Sequence, residues 1–282
     1  QPAAGDAGGA VGAAYAAYYL CGKNNREVSH QYDNMTGSYL GPKCSQTSIQ
    51  NVIRKYGAVG TTFESSKQVC ETVATALNDG MIVGWCQGRM EFGPRALGAR
   101  SILADPRRPD MQKKLNLKIK YREGFRPFAP SVLEEDVSQY FNLDSSSPYM
   151  LIVAPVNDSI RKPEPTNYHD LVLYDKLYHE RSELPAVTHI DYSARVQTVS
   201  KKTNPKYWEL LSEFKKQTGC SVLINTSFNV RGEPIVCTAA DAYYCFMNTE
   251  MDMLVIENTI FLKNEQPNAS IEIQQKKVLS TD

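Results

Sequence analysis

The chain has 282 residues, enough for one large domain or two modest ones. Its 31 Lys and Arg balance 31 Asp and Glu, and 42% of the residues are hydrophobic. That balance speaks against a nucleic-acid coat or a polybasic membrane arm. No apolar run reaches the roughly 18–20 residues that span a bilayer, so neither nucleic acid nor membrane is an expected partner. Any anion must be held by local arginine clusters.

In chain order, QPAAGDAGGAVGAAYAAYYL reads as a glycine-rich loop and then a small-residue helix over 11–20. It has no basic start, so it is a poor signal peptide. Beginning without methionine, it reads as the cut edge of a longer protein. Residues 21–64 are polar and turn-rich, with a helical pattern around 49–56. Beyond Ser65 the chain alternates helix and strand patterns as far as Leu262. Ser65 with Gln68 offers a capping box for a helix carrying Val69, Val73, Ala76 and Leu77, with Gly80 past its end. Met81–Cys86 reads as a buried strand. Asn204 as N-cap, Pro205 at the first helical position and Gly219 as stop frame a helix with the stripe Tyr207, Leu210, Leu211 and Phe214. It leads into the strand Ser221–Ile224. Thr238 opens a helix through Phe246, and Met253–Ile256 and Ile260–Leu262 are strand-like. Residues 265–282 read as a loose tail. Helices alternating with strands predict a mixed α/β fold, a sheet covered by helices. The seven cysteines form no CxxC pair and several sit in apolar runs, which predicts reduced core thiols in a cytoplasmic protein.

Four segments carry candidate chemistry. GRMEFGPRALGARSILADPRR (88–108) sets Arg89, Arg95, Arg100, Arg107 and Arg108 among glycines that let a ligand approach the backbone, and guanidinium groups bind phosphate or carboxylate bidentately. A solvated basic loop is the plainer alternative. KIKYREGFRPFAPSVL (118–133) crowds Lys118, Lys120, Arg122 and Arg126. Read as a strand, it puts Lys120 and Arg122 on one face. Such crowding is costly unless an anion or a carboxylate neutralises it, and Glu91 and Glu123 are candidate partners. NTSFNVRGEPIV (225–236) follows a buried strand, where α/β folds place ligands, although an ordinary turn would look the same. THIDYSARVQTV (188–199) holds His189, Asp191 and Arg195, too few ligands for a metal site and best read as a polar strand with Arg195 facing an anion. Glu134, Glu135 and Asp136 read as a solvated helix start.

Taken together, GRMEFGPRALGARSILADPR, KIKYREGFRPFAPSVL, THIDYSARVQTV and LINTSFNVRGEPIV resemble the C-terminal part of the NodU/CmcH-type O-carbamoyltransferases, over roughly 65–262. The resemblance implies a YrdC-like twisted open mixed sheet with flanking helices over 41–264. It is preceded by the end of an actin/hexokinase-like transfer domain (1–40) and followed by the tail. The implied activity joins carbamoyl phosphate to ATP with Mg²⁺, releasing pyrophosphate and forming carbamoyl-adenylate. The transfer domain then passes the carbamoyl group to a hydroxyl of a sugar or secondary metabolite with an iron-type metal ion. On the family's motifs, Arg95 and Arg100 hold phosphate. Lys120 and Arg122 match a K-x-R element, and Ser227 and Asn229 an S-x-N element in the run that starts at Asn225. Arg126, Arg195 and Arg231 are further contacts. Asp6 matches a metal-ligating aspartate whose histidine partners are not in this sequence. The alternatives are a threonylcarbamoyl-adenylate synthase, a hydrogenase-maturation relative (which would carry CxxC zinc fingers) and a non-catalytic nucleotide-binding module. A homodimer is an arrangement the sequence leaves open.

Overall fold

The computed structural model describes residues 3, 5–27 and 35–267, apart from the side chains of Asp6 and Ala7. Among the described residues nine strands form one sheet: β1 (Thr61–Thr62), β2 (Val83–Cys86), β3 (Arg100–Ala104), β4 (Ala129–Leu133), β5 (Ile152–Pro155), β6 (Ser193–Val199), β7 (Val222–Ser227), β8 (Met253–Ile256) and β9 (Thr259–Leu262). Their order is β1-β9-β8-β2-β3-β7-β4-β6-β5. β2 runs parallel to β8 and β4 parallel to β6, while the other neighbours are antiparallel, so the sheet is mixed as expected. The helices described are α1 (Asp6–Ala16), α2 (Gln46–Tyr56), α3 (Ser66–Asn78), α4 (Met111–Lys118), α5 (Val137–Tyr140), α6 (Leu173–Tyr178), α7 (Pro205–Thr218) and α8 (Ala239–Met247).

The local signals act where they stand. The Ser65–Gln68 capping box starts α3, and Gly80 follows its end at φ 86°. Asn204 Oδ1 accepts from Tyr207 N at the start of α7, and Gly219 stops that helix in the left-handed conformation. α3 and α7 pack against each other, and α2 packs against α8. Trp85, Phe141, Phe214, Phe228, Phe246 and Phe261 are fully buried in the core. Burial of apolar surface is the main favourable contribution to folding, and these rings each bury a large share of it.

Four expectations change. Residues 118–126 are not a strand: they are the last residue of α4 and the loop beyond it, because the backbone N–H groups of Ile119 and Lys120 still bond back to Leu115 O. Of 188–199 only Ser193 onward is strand, since His189–Tyr192 make a turn closed by Tyr192 N to His189 O at 3.0 Å. Asp136 is buried, not solvated, and pairs with Lys215. The tail falls mostly on residues outside those described, but Gln266 is anchored, its amide bonding Val59 O and Leu262 O at 2.8 Å each. The N-terminal helix is found, running from Asp6 into a π turn over Ala17–Cys21, with Tyr15, Tyr18 and Leu20 exposed.

Candidate functional site

One end of the sheet gathers the motifs. β7 is antiparallel to both β3 and β4, so its C-terminal end meets their starts: Ser227 lies opposite Ser101, and Asn225 opposite Leu103 and Ala129. β6, parallel to β4, brings Arg195 to the same end. A cavity of about 150 Å³ opens there. Its walls include Arg95 from the loop between β2 and β3, Arg122 from the loop after α4, Arg195, Asn225 and Ser227. Five residues nominated from the sequence therefore meet in one place.

The cavity is cationic and uncompensated. Among the described residues, Arg95, Arg122, Arg195 and Lys120 form no salt bridge. The Nε atoms of Arg95 and Arg195 and the Oδ1 of Asn225 are buried without a hydrogen-bond partner. Such orphans are uncommon in folded proteins, and three of them around one cationic cavity call for an explanation. Burial depresses the Arg195 guanidinium, with Arg95 adding like-charge repulsion, and burial depresses Arg122, with Arg126 adding. An anion would relieve both effects.

Lys120 lies behind this wall and is 4% exposed. Its ammonium donates to Ser227 O, to Ser227 Oγ at 3.3 Å, and to Asn229 O and Oδ1 at 2.9 Å, so it clamps the turn after β7. Burial, with Arg122 adding, pulls it down to about 7. Arg126 and Arg231 are exposed, do not line the cavity and share Glu123, at 3.0 and 4.0 Å. Arg100 is not with the others. Fully buried, its guanidinium donates to the carbonyls of Pro42, Gln87, Gly88, Ala99 and Cys237, which makes it a brace for the loop that carries Arg95. Three further arginines are accounted for elsewhere: Arg107 on Asp105, Arg108 on Asn78 O, and Arg89 on Gly41 O. Lys118 pairs with Glu250 at 2.7 Å.

Three supporting residues are not singled out by the sequence, although Ser131 and Gln197 lie inside two of the candidate segments. Asn116, fully buried in α4, accepts from Arg122 Nε at 2.6 Å and donates to Gly124 O and Arg126 O, fixing the 122–126 loop. Gln197 and Ser131 hold the Asn225 amide at 2.8 and 3.0 Å. A buried Asn or Gln in an apolar run is a weak sign, because only the fold reveals its partners. Glu91 does not neutralise cations: its Oε1 accepts from the backbone N–H of Leu97, Ala99 and Arg100 at 2.7, 2.7 and 3.2 Å. The sharp turn at Gly98 is required, because at φ 100° a Cβ would stand 2.1 Å from the Tyr207 ring.

Beside the cationic cavity, and sharing Pro127 with it, lies an apolar cavity of about 760 Å³. Phe125, Tyr168, Leu173, Leu177 and Ile190 line it, with His189 and Asp191 at its wall. Asp191 accepts from Ser193 Oγ at 2.6 Å, and burial depresses the His189 imidazole. Among the described residues no group of three or more His, Cys, Asp or Glu could hold a metal ion. The Asp6 side chain lies outside the described residues.

The chain is thus a mixed α/β domain with a cationic cleft at one sheet end. Residues 74–263 match the family described as carbamoyltransferase C-terminus. The uncharacterized protein sll1178 of Synechocystis is 55% identical over 269 residues, covering 95% of this chain and 43% of that protein. The nodulation protein NolNO of Sinorhizobium fredii is 41% identical, covering 93% of this chain and 35% of that protein. The 3'-hydroxymethylcephem-O-carbamoyltransferase of Amycolatopsis lactamdurans is 40% identical, covering 66% and 31%. The chain belongs to the carbamoyltransferase family, a family of transferases, and corresponds to its C-terminal region. It spans less than half the length of these relatives.

Proposed function

We propose that this chain is the carbamoyl-activating part of an O-carbamoyltransferase, binding MgATP and carbamoyl phosphate and forming carbamoyl-adenylate. The observation that carries the reading is the meeting of Arg95, Arg122 and Arg195 around one cavity, with no carboxylate paired to them among the described residues and with the Nε atoms of Arg95 and Arg195 buried and partnerless. Guanidinium groups in that state suit phosphate oxygens. The partnerless Asn225 Oδ1 suits a ligand N–H, and a carbamoyl group supplies one. The adjoining apolar cavity, with Phe125 and Tyr168, suits the nucleoside end of ATP.

Atom balance sets the steps. Carbamoyl phosphate first loses inorganic phosphate to water. A carbamate oxygen then attacks the α-phosphorus of ATP, the bond to the β-phosphate breaks, and pyrophosphate leaves. Both steps develop charge on phosphate oxygens, so the chain's part is to position two anions and neutralise that charge. Arg95, Arg122 and Arg195 do so directly, and Lys120 acts through the Ser227–Asn229 turn that it holds. Arg100 supports Arg95 from beneath. Transfer to a hydroxyl acceptor, and the iron-type metal ion with Asp6 as one ligand, belong on this reading to the transfer domain, whose end is residues 1–40. Free cysteines and a need for ATP suit the cytoplasm.

The test is product release from the purified chain with MgATP and carbamoyl phosphate, beside a full-length relative as a competent control. Pyrophosphate and phosphate are expected in equal amounts, and only when both substrates are present. Pyrophosphate that instead requires bicarbonate and threonine would move the chain to the threonylcarbamoyl-adenylate synthases. Tight ATP binding without turnover would make it a nucleotide-binding module.

A further inference from the structure

Away from the cationic cleft, two cysteines from distant parts of the chain meet. Cys86 closes β2 and is fully buried, and Cys44 follows the bridge between Lys43 and Arg89. Their Sγ atoms lie 3.5 Å apart, with the Arg100 guanidinium 3.8 Å from Cys44 Sγ. Cys44 also lines a separate cavity of about 540 Å³ with Lys43, Lys206 and Glu257, which gives a small reagent a route to it.

We propose that Cys44 and Cys86 are a redox dithiol that hydrogen peroxide closes to an intramolecular disulfide. The Cys44 sulfur attacks the peroxide, the O–O bond breaks, and one water leaves with Cys44 as sulfenic acid. Cys86 then attacks that sulfur, the S–O bond breaks and a second water leaves. Two thiols lose two electrons and two protons, and one peroxide becomes two waters. The asymmetry of the pair fits these roles. The hydrogen bond between the two sulfurs draws the Cys44 thiol down against burial, with Arg100 helping, while the same bond and burial push Cys86 well up. Thiolate character belongs to the sulfur at the cavity, and the resolving thiol lies directly behind it. The remaining buried thiols are held up by burial, Cys70 to about 12, Cys220 to about 11 and Cys245 to about 12.

The disulfide would fasten the 41–44 segment to β2. That segment already bonds Met90 through Gly41 N and Pro42 O, at 2.9 Å each. The link would therefore reach the loop that Arg100 braces.

The experiment treats the native chain with increasing hydrogen peroxide, quenches with catalase, unfolds it, alkylates free thiols and reads the mass. Of the seven cysteines, five should remain alkylatable. A dithiothreitol-reversible peptide pair joining Cys44 to Cys86 should appear first. Cys86→Ser should stop at a Cys44 sulfenic acid trapped by dimedone, and Cys44→Ser should give neither product. If Cys86→Ser does not fold, the wild-type peptide map decides alone. Oxidation that begins at exposed Cys21, or a first disulfide between any other pair, overturns the proposal.

Discussion

Arg195 and Arg126 are both conspicuous arginines in the sequence, but their surroundings separate them. Arg195 is half-buried, with an unpartnered Nε and a like charge beside it. Arg126 is exposed and already paired with Glu123. A hydrogen bond to a charged group contributes about 1.5–3 kcal/mol, and about 1.4 kcal/mol is a factor of ten. Arg195→Ala should therefore weaken ATP binding by about tenfold to a hundredfold in calorimetry, without lowering the melting midpoint. Arg126→Ala should do less, and the reverse ranking would remove Arg195 from the site. Lys120 makes a prediction in pH. Its folded value is about 7 against an ordinary 10.5. Between those values the unfolded chain binds more protons, so this group's contribution to stability rises with pH across that window. Urea unfolding of the wild type and of Lys120→Met at pH 6.5 and 9 should show the wild type gaining on the variant at the higher pH. A constant difference would refute the depressed value.

At the scale of elements, the loop between β2 and β3 depends on one buried carboxylate. Glu91→Ala leaves three buried N–H groups without their acceptor, and each such group costs about 1–3 kcal/mol. A loss of several kcal/mol in chemical denaturation is expected, together with weaker ligand binding through misplaced Arg95. Glu91→Gln keeps one acceptor oxygen and should recover much of both. How far the elements could be read in the sequence follows from the range of the forces involved. α3 and α7 were legible because Ser65, Gln68, Asn204, Pro205 and Gly219 act within one helical turn. The sequence leaves β4 unassigned, and Pro130 would by itself argue for an edge, yet the strand lies between β6 and β7. Residues 118–122 mimic a strand's alternation because α4 ends there with Ile119 and Lys120 turning inward to full or near-full burial. The cations of the site were visible as residue types. Which of them lack carboxylates was legible only in part: Glu123, a nominated partner, does pair with Arg126, whereas Glu250 reaches Lys118 only through the fold and Glu91 turns to backbone N–H groups instead.

The whole sheet has a centre made late. β7 joins β3 on one side to β4 on the other, and every residue of its Val222–Ile224 run is fully buried. Ile224→Ala should cost about 2–5 kcal/mol, as large-to-small core changes do, and should disturb both halves of the sheet in hydrogen exchange. A change confined to β7 and one neighbour would mean that the halves are independent. The strand order also has a kinetic consequence. β2 pairs with β8, Val83 lying beside Met253, and β1 pairs with β9, Thr61 lying opposite Ile260. A chain emerging from the ribosome can pair β2 with β3 early, but must leave the other edge of apolar β2 open until nearly the whole sheet has been synthesised. Non-local pairing of this kind folds slowly and leaves such strands open to aggregation in the interval. Yield in the cell is thus expected to depend on translation speed and chaperone supply as much as on final stability.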